Sequence, residues 1–82
     1  MDETRRYVGI DVAKSKLDVF IGRTSESFSV INTDLEVRRM LKRFGPDDFV
    51  ILEATGGLEA PVASVLAAAG IAVAIGQSAP GA

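Results

Sequence analysis

Two acidic side chains, each closing an apolar run, are the residues of this sequence best placed to do chemistry. Asp11 ends Tyr7-Val8-Gly9-Ile10, and Glu53 ends Phe49-Val50-Ile51-Leu52. A carboxylate near the middle of a sheet is costly unless it is hydrogen-bonded, paired or metal-bound. If the two runs are neighbouring strands, Asp11 and Glu53 meet at one edge of one sheet. Such a pair is an oxygen site of the kind that suits a hard divalent cation. Simpler roles stand beside that one. Asp11 can cap the turn after its strand by accepting from the Ala13 or Lys14 amide, as Asp does in many turns. Glu53 can cap the Gly56-Gly57 turn or pair with Lys14.

Other polar positions carry less. Asp18 falls on the polar face of a strand and reads as exposed, and Lys14 as a solvated turn residue or the partner of an acid. Gly56-Gly57 ahead of a helix can cradle phosphate, but close helix–strand packing is the commoner reason for such a pair. Arg38, Arg39, Lys42 and Arg43 read first as a solvated helix face with cations near the helix C-terminus, where the macrodipole favours them. Contact with a DNA backbone is the second reading.

The elements that must position these residues follow from periodicity. Val8, Ile10 and Val12 alternate with Tyr7, Gly9 and Asp11, which predicts a two-faced strand over 7–13. A short polar turn leads to a second strand, 17–21, and the pair reads as an antiparallel hairpin. A third strand covers 27–31. The period then changes. Thr33 and Glu36 have capping-box spacing, and Val37, Met40, Leu41 and Phe44 line one face of a helix over 33–44. Gly45-Pro46 predicts its stop, with Gly at C′. A fourth strand at 49–53, an alanine-rich helix at 58–69 with Pro61 in its first turn, and a fifth strand at 71–75 complete the pattern. Residues 1–6 and 76–82 read as flexible tails. Three strands followed by two helix–strand units predict an α/β fold with one mixed sheet in the order 3-2-1-4-5. The expected core is Val8, Ile10, Val12, Leu17, Val19, Val37, Met40, Leu41, Val50, Leu52, Val62, Leu66 and Val73. In that order Asp11 and Glu53 share the C-terminal ends of adjacent parallel strands, where open α/β sheets hold their sites.

Composition bounds the rest. Eighty-two residues allow one small domain, and 48% hydrophobic content is that of a globular chain. Nine basic against eleven acidic residues give a net charge of −2, which offers no electrostatic argument for nucleic acid. The chain has no cysteine and no histidine, which removes disulfides, thiolate and imidazole metal sites, and histidine general bases. The N-terminus lacks an apolar signal region, and no apolar run reaches the roughly 18 residues of a membrane helix. A soluble, cytoplasmic protein with no membrane partner is the default expectation.

Two segments, YVGIDVAKSKLDVFI and ILEATGGLEAPVASVLAAAGIAVAI, closely resemble the N-terminal part of the IS one-ten family of insertion-sequence transposases. The family's G-I-D-x-x-K motif corresponds to Gly9-Ile10-Asp11-Val12-Ala13-Lys14, and its E-A-T-G motif to Glu53-Ala54-Thr55-Gly56. The resemblance spans about residues 7–75. It implies an RNase H-like, RuvC-like domain with a four-carboxylate DEDD set, in which Asp11 and Glu53 are the first two catalytic, metal-binding acids. It implies Mg2+ or Mn2+ as cofactor, DNA as partner, a guide RNA for the full-length family, and strand exchange at phosphodiesters. Charge on both attacking and leaving oxygens is then neutralised by two divalent ions roughly 3.5–4 Å apart.

The departure from the family is equally specific. The third and fourth acids follow the fifth strand on a downstream helical segment, and Gly76-Gln77-Ser78-Ala79-Pro80-Gly81-Ala82 stands where the family continues through an Asn-Pro segment. The expectation is an N-terminal fragment: half of the acid set, no C-terminal helical part and no serine-bearing C-terminal domain. Metal should bind weakly, cleavage should not occur, and an uncovered sheet should drive association into a homo-oligomer. Two other classes remain. An actin-like or sugar-kinase-type nucleotide domain shares a related topology, but wants Gly and Ser/Thr where Val12-Ala13-Lys14 stand. A non-catalytic association module is the third.

Overall fold

A computed structural model describes residues 5–54 and 56–76. Five strands, β1 (Arg6–Val12), β2 (Lys16–Ile21), β3 (Glu26–Ile31), β4 (Asp48–Glu53) and β5 (Ala72–Gly76), form one sheet in the order β3-β2-β1-β4-β5. Pairing is antiparallel between β1 and β2 and between β2 and β3, and parallel between β1 and β4 and between β4 and β5. Helices α1 (Asp34–Met40) and α2 (Ala60–Ala68) make the parallel crossovers. The α/β class, the mixed sheet and its order are as the periodicity predicted.

One face of the sheet carries the core. Val8, Ile10 and Val12 of β1, Leu17, Val19 and Ile21 of β2, and Val50 and Leu52 of β4 are buried with Val37, Met40, Val62, Leu66 and Ile71. Two expected core residues, Leu41 and Val73, are partly buried against this cluster, and Ile21 and Ile71 belong to it in addition. Both helices therefore lie on the same side. The opposite face, which carries Tyr7, Gly9, Asp11, Phe20, Phe49 and Ile51, has no element over it among the described residues. Tyr7 and Phe20 are about half exposed there, at 56% and 51%.

Helix ends depart from the sequence expectation where local bonds compete. Thr33 caps α1 by accepting from the Glu36 amide at 3.3 Å, while the Glu36 carboxylate turns to Arg39. Only half of the capping box forms. The helix tightens at Leu41–Arg43 into one 3₁₀ turn and leaves through an extended Phe44, so Gly45 is not its left-handed C′ residue. Gly45 instead opens a turn: it accepts from the Asp48 amide at 3.1 Å and donates its own to the Asp48 carboxylate at 2.8 Å. α2 ends as expected. Gly70 adopts φ +82°, its amide bonds Ala67, and the Ile71 amide bonds Leu66, the paired 5→2 and 6→1 bonds of a Schellman cap.

The N-terminal segment needs a further correction. Arg6 is not part of a frayed tail. Its guanidinium grips Asp48 with two bonds, Nε to Oδ1 at 2.9 Å and Nη2 to Oδ2 at 2.8 Å, and Nη2 also donates to the Arg43 carbonyl at 2.9 Å. Asp48 is 5% exposed. The pair fastens the starts of β1 and β4 to the end of the 3₁₀ turn. Arg5, also of the expected tail, lies over the Phe49 ring at 5.5 Å; at the other limit Gly76 closes β5 rather than opening a tail, and residues 1–4 and 77–82 lie outside the described residues.

A carboxylate row on the open face of the sheet

The strand register builds the candidate site. In the parallel pair Asp11 stands opposite Glu53, and in the antiparallel hairpin it stands opposite Asp18. Asp18 in turn faces Ser29, and Glu53 faces Gly76. One row, Ser29–Asp18–Asp11–Glu53–Gly76, thus crosses all five strands. Residues directly opposite one another share a face, and this row belongs to the face the helices leave open. Strands lie about 4.8 Å apart, so neighbouring members of the row are within reach of one another.

Each carboxylate has a different setting. Asp18 accepts from the Ser29 hydroxyl at 2.7 Å and lies 3.8 Å from Lys16 Nζ. Ser29 is on β3, so this bond draws Asp18 toward the sheet edge and away from Asp11. Asp11 and Glu53 are exposed, and neither enters an ion pair among the described residues. The turn-capping role for Asp11 loses one of its donors, since the Ala13 amide bonds the Lys16 carbonyl at 2.9 Å. That turn is held further by Asn32, whose side chain donates to the Ala13 carbonyl at 2.8 Å. Strand β1 therefore presents Asp11 from a fixed end.

Glycines shape the surroundings. A Cβ at Gly76 would approach the Glu53 side chain to 3.3–3.4 Å, so Gly76 leaves the space that Glu53 occupies. A Cβ at Gly9 would meet nothing within 4 Å. Gly9 is the floor of an open depression of about 750 Å³ bordered by Asp11, Asp18, Phe20, Ser29, Ile51 and Glu53. Beyond Glu53, Gly56 and Gly57 both have positive φ, 67° and 77°. The Gly-Gly pair is thus required by the turn itself.

The cost argument for a buried acid does not apply to Asp11 or Glu53. β1 and β4 bury only one side each, and both acids point to the open one. The buried acid of this sheet is Asp48, at the other end of β4. Burial pushes its carboxyl up, but the Arg6 bond, the Gly45 amide and the Arg6 charge outweigh that and hold it below its ordinary value. Arg6 is raised in turn, chiefly by its bond to Asp48. Asp48 is a bonded structural acid, whereas Asp11 and Glu53 accept no side-chain bond from the described residues. Among the described residues no three acids are close enough to form a metal cage, in keeping with the turn of Asp18 toward Ser29.

No family model and no curated protein matches this sequence.

The basic stretch sits elsewhere. α1 packs its Val37 and Met40 into the core on the helix side, so its cations are across the sheet from the acid row. Arg38 pairs with Asp34 at 3.0 Å, Arg39 with Glu36 at 3.2 Å and Arg43 with Glu26 at 2.7 Å. Arg43 also stacks 4.0 Å over the Phe28 ring. Three of the four positive charges thus have acids of this domain beside them. Two features were missed by the sequence reading, although its signals held both. Asp18 follows from the hairpin register, since a turn that pairs Ala13 with Lys16 also pairs Asp11 with Asp18. Asp48 follows from the parallel register, because Arg6 and Asp48 have the same 42-residue separation as Asp11 and Glu53.

Proposed function

We propose that this chain is the N-terminal part of an RNase H-like, RuvC-like catalytic domain of an IS one-ten-type DNA transposase, with Asp11 and Glu53 as half of its metal-binding acid set. The observation that carries this reading is the parallel register of Asp11 with Glu53 at the C-terminal ends of adjacent central strands, on an open face. The motif positions and the strand order agree with it. Open α/β sheets use that end of the strands for their sites.

The donor set fits a hard cation. Two exposed carboxylates offer oxygens only, with room for the waters that Mg2+ or Mn2+ retains. Bound there, a divalent ion supplies neutralising charge to the oxygens of a phosphodiester. Asp11 and Glu53 hold that position from rigid strand ends, and Gly76 gives the Glu53 side chain its place. The shallow floor at Gly9 leaves the face open to a DNA backbone. Two acids hold one ion weakly, and no third acid joins them among the described residues, so this stretch is expected to bind metal weakly and not to cleave DNA by itself.

Calorimetric titration with Mn2+ tests this on the wild type, Asp11→Asn and Glu53→Gln, alongside incubation with branched DNA. Weak binding lost in both variants, with no cleavage, is expected. Tight binding indifferent to Asp11→Asn would move the site elsewhere. Robust metal-dependent cleavage by this chain alone would overturn the four-acid argument.

A further inference from the structure

We propose that β5 is a dimerisation edge, through which two copies of this chain pair antiparallel and join their sheets into one. The inference goes beyond the chemistry of the acid row and does not depend on it. Its basis is the contrast between the two edges of the sheet. An exposed edge strand invites pairing unless charge, proline, a bulge or a covering element blunts it. β3 is blunted: Glu26 stands at its start, bonded to Arg43, and Arg43 lies across Phe28. Ser27 and Ser29 add polar side chains. A helix packs beside each edge strand, α1 at β3 and α2 at β5, but β5 lacks the charged and polar side chains. Its five residues, Ala72-Val73-Ala74-Ile75-Gly76, include no charge and no proline, and no described element pairs with its outer side.

The sequence of β5 is also complementary to itself. A two-fold axis at Ala74 sets Ala74 against its copy, Val73 against Ile75 and Ala72 against Gly76. Directly opposite residues share a face. Val73 and Ile75 lie in register with Val50 and Leu52, so this pairing matches apolar side chains on the helix side, where Ile75 is 49% exposed in the single copy. Ala72, Ala74 and Gly76 meet on the open face, where their small side chains raise no clash. Charge favours the same orientation. The acid row lies at the Gly76 end of β5, and antiparallel pairing sends the two rows to opposite ends of the joined sheet. A parallel arrangement would align them. Five residues a side bury less than the roughly 1,200 Å² typical of a stable interface, so the dimer forms in a concentration-dependent way.

The chain has no cysteine, which allows a direct test. Opposite Cα atoms in an antiparallel pair are about 4.5–5.5 Å apart, inside the range a disulfide spans. Ala74→Cys is expected to give a disulfide-linked dimer under mild oxidation, with Ser29→Cys on β3 and Phe20→Cys on the open face reacting far more slowly. Ile75→Lys, at a half-exposed position, should weaken association about tenfold in sedimentation velocity while the unfolding midpoint stays near that of the wild type. A wild type that remains monomeric at all concentrations overturns the proposal. So does an Ala74→Cys variant that cross-links no faster than the two controls, or an association that Ile75→Lys leaves unchanged.

Discussion

Replacing Asp48 by Asn removes one charge from the best-bonded ion pair of the fold. The carboxylate accepts from Arg6 Nε at 2.9 Å, Arg6 Nη2 at 2.8 Å and the Gly45 amide at 2.8 Å, and its side chain is 7% exposed. Asn has one acceptor oxygen for these three donors, and its own amide must face one of them. Breaking a fully buried pair from one side costs about 3–5 kcal/mol. Arg6 keeps 28% exposure and can recover some hydration, which brings the expected loss to about 2 kcal/mol. Against the 4–12 kcal/mol or so of a domain this size, that lowers the thermal midpoint by roughly 8–16 °C. Equilibrium urea unfolding at neutral pH measures the loss. The pH dependence supplies a second reading. Asp48 lies below its ordinary 3.8 in the folded state, so its stabilisation is present above that value and is lost as pH falls through the lower folded one. The variant should therefore lose less stability than the wild type between about pH 4 and lower pH. A loss under about 0.5 kcal/mol at neutral pH, with an unchanged acid limb, would refute the reasoning. The double variant Arg6→Met, Asp48→Leu should be more stable than Asp48→Asn, since it leaves no unpaired charge.

Two backbone predictions probe the site's surroundings and the helix behind it. Gly9→Ala should raise stability by about 0.5–1 kcal/mol, because a strand glycine costs backbone entropy and a Cβ there meets nothing within 4 Å; a loss in chemical unfolding would mean that this face is covered in solution. Gly70→Ala should lower stability by about 1–2 kcal/mol, since φ +82° is unfavourable for any residue with a Cβ, and an unfolding midpoint equal to the wild type's would contradict the Schellman cap.

The centre of the sheet was legible because β1, β2 and β4 bury one side only. Val8, Ile10 and Val12, then Leu17 and Val19, repeat at a spacing of two, and the helix face Val37-Met40-Leu41-Phe44 repeats at the helical spacing. Pairing order followed from the short hairpin turns and the helical crossovers. What escaped was set by bonds between residues far apart. Arg6 looks like one more charge in a polar leader until β1 and β4 are aligned, and Asp48 looks like a turn residue until Arg6 reaches it. The helical segment does stop ahead of Gly45, but Gly45 is not left-handed, because the Asp48 carboxylate three residues on holds its amide in a turn of its own. At the site, the pairing of Asp11 with Glu53 was legible from two strand ends of equal character. The direction taken by Asp18 was not, because it is fixed by a single hydroxyl on an edge strand.

Metal binding between Asp11 and Glu53, as proposed, can be tested by locating a paramagnetic ion. Mn2+ added in small steps to isotope-labelled chain should broaden the amide signals of Val12, Ala13, Ala54 and Gly76 first, and Asp11→Asn should abolish that pattern while the rest of the spectrum is unchanged. Broadening that begins at Asp34 and Glu36 on α1, or that persists at the sheet after Asp11→Asn, would show that Asp11 and Glu53 do not hold the ion.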